Sequence, residues 1–128
     1  MGCYEVSLGD TIGAGTPAKT DALMRTLTAP KTKLAAHFHD TNKTAIENIL
    51  VALKYGITIF DSSVGGLGGC PYAGKPAGNV SSEDVIFILE ELGIRTNVNL
   101  EKMIEIGDFV SSHLKRNNLS VVKKGDLI

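Results

Sequence analysis

What the chain lacks narrows its class. Two cysteines in 128 residues cannot form a disulfide framework, so a reduced, intracellular protein with free thiols is expected. Lysine and arginine (13) nearly balance aspartate and glutamate (14), for a net charge of −1. That balance offers no electrostatic footprint for nucleic acid or an anionic membrane, and neither is expected as a partner. No apolar run approaches the ~20 residues that a bilayer span requires. The first residues, Met1-Gly2-Cys3-Tyr4-Glu5, have neither a basic nor an apolar leader segment and none of the Arg-rich character of a transit peptide. Val6 stands where a myristoylation pattern needs Ser or Thr. Low-complexity stretches and long linkers are also missing. With 43% hydrophobic residues, the chain can build one modest domain with its own core.

What is present in excess is glycine, at one place. The stretch Ser63-Val64-Gly65-Gly66-Leu67-Gly68-Gly69-Cys70-Pro71-Tyr72 holds four glycines and one cysteine. It directly follows an apolar run, Ile57-Thr58-Ile59-Phe60. A loop with so little side-chain bulk can bring its backbone close to a ligand. Its chain entropy is too costly for an ordinary connector, so it reads as an active-site loop, with Gly66, Gly68 and Gly69 against the substrate and the Cys70 sulfur as its one reactive atom.

The rest of the chain reads as strands alternating with helices. Residues 3–8 are β-prone, with Cys3 in the core. Thr16 followed by Pro17 opens a helix that runs to about residue 27 and stops before Pro30. Residues 34–39 form a second strand. Ala45, Ile46, Ile49, Leu50 and Leu53 fall at helical spacing between capping residues 40–42 and Gly56. Residues 57–60 are a third strand. Ser81 or Ser82 caps a helix through Leu92, and Asn99 caps a final amphipathic helix. The basic tail from Lys115 is expected to fray, and His113 to lie on the solvated surface. Such alternation implies βαβ units and a parallel sheet. Its polar residues gather at the strand ends, where α/β folds place function.

His37 and His39 are two apart on a strand, so both imidazoles face the same side. They make half of a metal site, or else a hydrogen-bonded pair in a barrel interior; Asp40 directly after them favours metal, with Asp40 itself as helix cap or histidine orienter. The Asn79 amide oxygen can complete a hard-cation site, or Asn79 can be a left-handed turn residue after Gly78. Asp10 can act as acid/base, orient a substrate, or cap the following turn. Asp61 has the same choices, with structure preferred. Cys70 lies in a loop rather than among apolar neighbours, and a nearby cation would make its thiol a usable proton donor or acceptor.

These residues carry a family resemblance. Cys3-Tyr4-Glu5-Val6-Ser7-Leu8-Gly9-Asp10-Thr11-Ile12-Gly13, then His37-Phe38-His39-Asp40-Thr41, then the 63–72 loop resemble the C-terminal part of the hydroxymethylglutaryl-CoA lyase family. The loop departs from that family's signature at Gly65, where alanine is common. The likeness continues through Gly78-Asn79 and Glu83-Asp84 to about residue 102. The resemblance implies an α/β fold, a partial (β/α)8 TIM barrel of about three C-terminal parallel βα units plus C-terminal helices. Residues 1–95 would form the partial barrel and 96–128 a helical extension. It implies that His37, His39 and Asn79 bind a divalent cation, Mg2+ or Mn2+, that Cys70 is a catalytic acid/base, and that Asp10 takes part in catalysis. The implied reaction cleaves 3-hydroxy-3-methylglutaryl-CoA, an acyl-CoA substrate, to acetyl-CoA and acetoacetate in leucine degradation and ketone-body formation. The implied compartment is the cytoplasm for a bacterial source and the mitochondrial matrix for a eukaryotic one.

A whole barrel needs eight strand–helix units over about 250 residues. The family's first-strand Arg and metal-binding Asp, and its second-strand Glu, have no counterpart here. The expectation is a truncated chain with weak or no activity alone, partnered by a second copy or by the missing N-terminal barrel half. A non-catalytic partial barrel associating with a full-length lyase is the alternative from another class. A related acyl-CoA synthase of the isopropylmalate or homocitrate type is a further enzyme reading, opposed by the Gly-Gly-Cys-Pro-Tyr run.

Overall fold

The computed structural model describes residues 2–69 and 78–122. Three parallel strands, β1 (Val6–Asp10), β2 (Leu34–Phe38) and β3 (Ile59–Asp61), form one sheet in the order β1-β2-β3. The pairing sets Val6 beside Leu34, Asp10 beside Phe38, and His37 between Gly9 and Asp61. Helices α1 (Pro17–Thr26) and α2 (Ala45–Lys54) are the β1–β2 and β2–β3 crossovers, and α3 (Ser82–Glu91) and α4 (Leu100–His113) follow.

The helix starts follow local chemistry. Thr16 Oγ1 accepts the Lys19 N–H at 3.3 Å, with Pro17 in the first turn. Ser81 and Asn99 cap α3 and α4 in the same way, at 3.1 and 2.9 Å. Each side chain takes up a backbone N–H that the helix leaves unpaired. α2 has no such bond from Thr44, the residue before it. Instead Asp40 reaches forward five residues to accept the Ala45 N–H at 3.2 Å.

The core lies between the sheet and α1–α3. Met24, Leu34, Ala36, Phe38, Ala45, Ile49, Ala52, Ile57, Val80 and Val85 are buried together. Within it Asn48 is fully buried yet satisfied. Its Oδ1 accepts from Thr20 at 2.9 Å and its Nδ2 donates to the Gly15 carbonyl at 3.2 Å. Thr44 and Asn42 also donate to the 13–15 backbone, at 2.8 and 2.7 Å. These bonds fasten the loop after β1 onto α2, a role that hydrophobic periodicity does not mark.

Three expectations are corrected. The first strand begins at Val6, not at Cys3, and Cys3 is exposed, because the chain before Val6 has no sheet partner to cover it. The third strand is shifted to 59–61, since Ile57 is used to bury the end of α2: its N–H donates to the Ala52 carbonyl and its side chain is fully buried. The tail does not fray up to Val122. The Arg116 N–H returns to Ser111, the Leu119 N–H donates to the Gly65 carbonyl, and Ser120 and Val122 are buried. Asp84 gathers the Ser120 hydroxyl at 2.7 Å and the Val121 and Val122 N–H groups at 3.0 and 3.1 Å. His113 is on the surface, stacked on Phe109. No helix among the described residues is long and apolar enough to cross a membrane.

Candidate metal-binding site at the strand ends

The C-terminal ends of β1 and β2 converge with the segment at Gly78–Ser81. The Val80 N–H donates to the Phe38 carbonyl, and the Asp40 N–H to the Gly78 carbonyl. His39 and Asn79 thereby form an isolated antiparallel bridge. One residue, Phe38, separates His37 from His39, and their rings meet edge-to-face with centroids 4.9 Å apart. His37, His39 and Asn79 are thus brought into one cluster. Asn79 is in extended pairing, not in the left-handed conformation that a turn residue would need; among the described residues only Lys43, Asn97 and Lys115 have a positive φ without being glycine.

Both imidazoles have one nitrogen occupied. His39 Nδ1 lies 3.0 Å from the Asp10 carbonyl. A carbonyl only accepts, so Nδ1 carries the proton and the neutral ring keeps its lone pair at Nε2. His37 Nδ1 is hydrogen-bonded to the Asp61 carboxylate, its neighbour across the β2–β3 pairing. The same tautomer follows for an ionised Asp61. A carbonyl on one imidazole and a carboxylate on the other is the arrangement that orients metal-ligating histidines. Asp61 therefore has a definite partner that spacing alone did not pick out. Asp40 caps α2 and pairs with Lys43 at 3.0 Å.

Asn79 lies beside them. Its Nδ2 donates to the Leu67 carbonyl at 2.8 Å, which fixes the orientation of the amide. Its Oδ1 is buried and has no hydrogen-bond partner among the described residues. An orphaned buried carbonyl oxygen is unfavourable unless something binds it, and a hard divalent cation suits such an oxygen. Among the described residues no three His, Cys, Asp or Glu side chains converge as a metal cluster. The donors that could hold a cation here are two imidazole Nε2 atoms and one amide oxygen. These residues fit a divalent cation.

The glycines shape this site. Gly68 has φ +82, and a Cβ there would lie 2.8 Å from Asn79 Nδ2. Any larger residue would push the carboxamide aside. Gly66 and Gly69 also have positive φ. Cys70 lies outside the described residues.

Asp10 sits at the end of β1. Its two carboxylate oxygens accept the Ala14 and Gly15 N–H groups at 3.0 and 2.9 Å. That bonding folds the turn before α1 and leaves each oxygen one further lone pair. Asp10 also lines a cavity of about 290 Å³ with Leu8, Lys19, Leu23, Met24 and Phe38, on the β1 edge rather than beside Asn79.

Comparison with known proteins finds relatives of the chain. A family model described as HMGL-like matches residues 1–110. The mitochondrial hydroxymethylglutaryl-CoA lyase of Arabidopsis thaliana is 56% identical over 120 residues, covering 92% of this chain and 26% of the relative. The human mitochondrial enzyme is 49% identical over 124 residues, 95% of this chain and 38% of its own length. The crystal structure of the Pseudomonas aeruginosa hydroxymethylglutaryl-CoA lyase superposes with a TM-score of 0.91 at 48% identity, over 98% of this chain and 43% of that one. An Acinetobacter baumannii HMG-CoA lyase, solved with coenzyme A and 3-methylmalate, superposes at 0.86 with 30% identity, over 98% and 43%. The chain thus spans between about a quarter and two fifths of these relatives, and its three-stranded sheet corresponds to part of their TIM barrel. On the match over residues 1–110 and the identity along nearly its whole length, the chain belongs to the HMGL-like family.

Proposed function

We propose that this chain supplies the cation-binding and loop-bearing part of a lyase that cleaves 3-hydroxy-3-methylglutaryl-CoA to acetyl-CoA and acetoacetate, the step that ends leucine degradation in ketone-body formation. The observation that carries the reading is the matched donor set: two histidines with Nδ1 occupied and Nε2 free, beside the unpartnered Asn79 oxygen. His37, His39 and Asn79 would hold Mg2+ or Mn2+. When bound, the cation acts as a Lewis acid toward the substrate oxygens on which charge develops.

The chain's own groups have the remaining roles. Asp61 and the Asp10 carbonyl keep the two rings turned toward the site. Asp10, its carboxylate in the turn after β1, takes the proton of the substrate's tertiary hydroxyl through an intervening water. The carbon–carbon bond breaks as that oxygen becomes the ketone of acetoacetate, and its electron pair passes to the departing acetyl-CoA carbon. The Cys70 thiol delivers a proton to that carbon, and the glycine loop excludes water from it. Atoms and charge balance without a further reactant. The Acinetobacter relative's coenzyme A complex supports an acyl-CoA as substrate class.

A second reading, a non-catalytic partial barrel that associates with other barrel units, is favoured by β1, an edge strand with Val6 about half exposed. One assay separates the two. Acetoacetate release is measured with Mg2+ or Mn2+ for the chain alone and for the chain mixed with the N-terminal barrel units of the Pseudomonas relative. We expect little turnover alone, turnover in the mixture, and its loss in Cys70→Ala and His39→Ala. Turnover in the mixture that survives both substitutions would overturn the catalytic assignment, and full turnover by the chain alone would overturn the need for a partner.

A further inference from the structure

Glu83 is a carboxylate with no exposed surface, on the first turn of α3, and the chemistry above does not use it. Both of its oxygens accept the Gly65 N–H, at 3.0 and 2.9 Å. Gly65 lies in the short 3-10 turn Val64–Gly66 with φ 59 and ψ 18, the left-handed conformation suited to glycine. The next peptide is also held: the Gly65 carbonyl accepts the Leu119 N–H at 3.2 Å. Leu119 belongs to the C-terminal segment clasped by Asp84, so two acidic neighbours on α3 hold the turn, one directly and one through the strap.

The turn in turn sets the candidate ligand. The Gly66 N–H bonds to Ser63 and the Leu67 N–H to Val64. The Leu67 carbonyl so placed accepts from Asn79 Nδ2, and that bond leaves Asn79 Oδ1 as the free end. α4 makes room for the arrangement. A Cβ on Gly107 would fall 1.9 Å from Glu83 Oε1, so the carboxyl group would have to shift.

We propose that Glu83 is a positioning residue for Asn79: by holding the Gly65 peptide it fixes the Leu67 carbonyl, and through it which end of the Asn79 amide faces the ion. The inference rests on the cation-site reading only in its second half, so two readouts are needed. The first is metal-free. Hydrogen exchange of the Gly65 backbone amide and of the Asn79 side-chain amide is followed by NMR in wild type, Glu83→Gln and Glu83→Leu. Leucine cannot accept the Gly65 N–H, whereas glutamine keeps one accepting oxygen. We expect both amides to exchange at least tenfold faster in Glu83→Leu and to be largely rescued in Glu83→Gln. The second readout is Mn2+ affinity, with His39→Ala as control. We expect the dissociation constant to rise at least tenfold in Glu83→Leu and less than threefold in Glu83→Gln.

Faster exchange at Gly65 with an unchanged Asn79 amide would overturn the proposal. So would an unchanged Mn2+ affinity in Glu83→Leu when His39→Ala has lost binding. Mn2+ binding that His39→Ala leaves intact would instead sink the cation-site reading and leave the exchange data to decide on Glu83. Should Glu83→Leu not fold, Ser120→Ala weakens the strap side of the turn. Faster exchange at both amides would then support the coupling and no change at Asn79 would overturn it.

Discussion

Strands β1 and β2 are paired residue for residue, yet they live in different environments. Leu34 is 4% exposed and its register partner Val6 is 51% exposed. β2 is buried because it has a strand on each side and α2 across its face, whereas β1 has one neighbour. The polar residues at the strand ends differ in the same way. His39, after β2, is buried, while Asp10, at the end of β1, serves a turn and an open cavity on the edge. An edge strand with unpaired backbone groups is a template for another chain. The half of the site nearest β1 is therefore the half that depends on what lies beside it.

The sharpest way to break this contrast is to truncate both members of the Val6–Leu34 pair. Leu34→Ala should lower the unfolding free energy by about 2–5 kcal/mol, as expected for a buried leucine. Val6→Ala should stay within ~0.5 kcal/mol. Urea titrations of the two variants give the comparison, and a large loss in Val6→Ala would mean that β1 is covered in solution. Next in size is Asp61→Asn. Losing the carboxylate that orients His37 should weaken Mn2+ binding by about 10–100-fold, whereas Asp40→Asn, which touches the α2 start instead, should move it far less. Titration monitored by Mn2+ electron paramagnetic resonance checks both. A smaller effect is expected for Asp10→Ala. Two amides lose their acceptor in that variant, at a cost of ~1 kcal/mol by analogy with a helix cap, readable as a lower urea midpoint.

The smallest effect concerns pH. Asp21 on α1 accepts hydrogen bonds from Tyr55, at the end of α2, and from Arg25. The Tyr55 bond first, then Arg25, holds its carboxyl below the usual carboxylate range. A carboxyl whose folded pKa is depressed adds stability at neutral pH that is lost as pH falls below about 4. The Asp21 bond raises the Tyr55 hydroxyl, so its share fades as pH climbs past about 10. Thermal melts of Tyr55→Phe against wild type should differ slightly at pH 7 and converge toward both extremes. A difference that persists unchanged at pH 2 would assign the effect to packing.

Much of this was legible in the residues. The Thr16-Pro17 start, the Asn99 cap and the 45–53 periodicity name their helices because their signals are local. The paired histidines could be read as a half-site because alternation in a strand fixes which way they point. Asn79 could not be resolved from the sequence: whether it forms a turn or approaches His39 depends on pairing across the sheet end. Asp61, Glu83 and Asp84 were underread for a similar reason. An acidic residue looks like solvated surface until tertiary structure supplies backbone N–H groups or an imidazole for it to accept from. The tail was misjudged because lysine and arginine suggest solvent, while the anchoring is done by backbone amides that carry no sequence signal.

Gly107 has a consequence for reading sequence variation in this chain. The smallest amino acid there is dictated by an oxygen from a different helix, so a change as mild as glycine to alanine would force the Glu83 carboxyl group to move. Such an allele would look harmless by any scale of chemical similarity and lies far along the chain from the histidines. If the proposed cation site holds, such a change would surface as weaker loading of the ion, traceable only by following the displaced Glu83 carboxyl group.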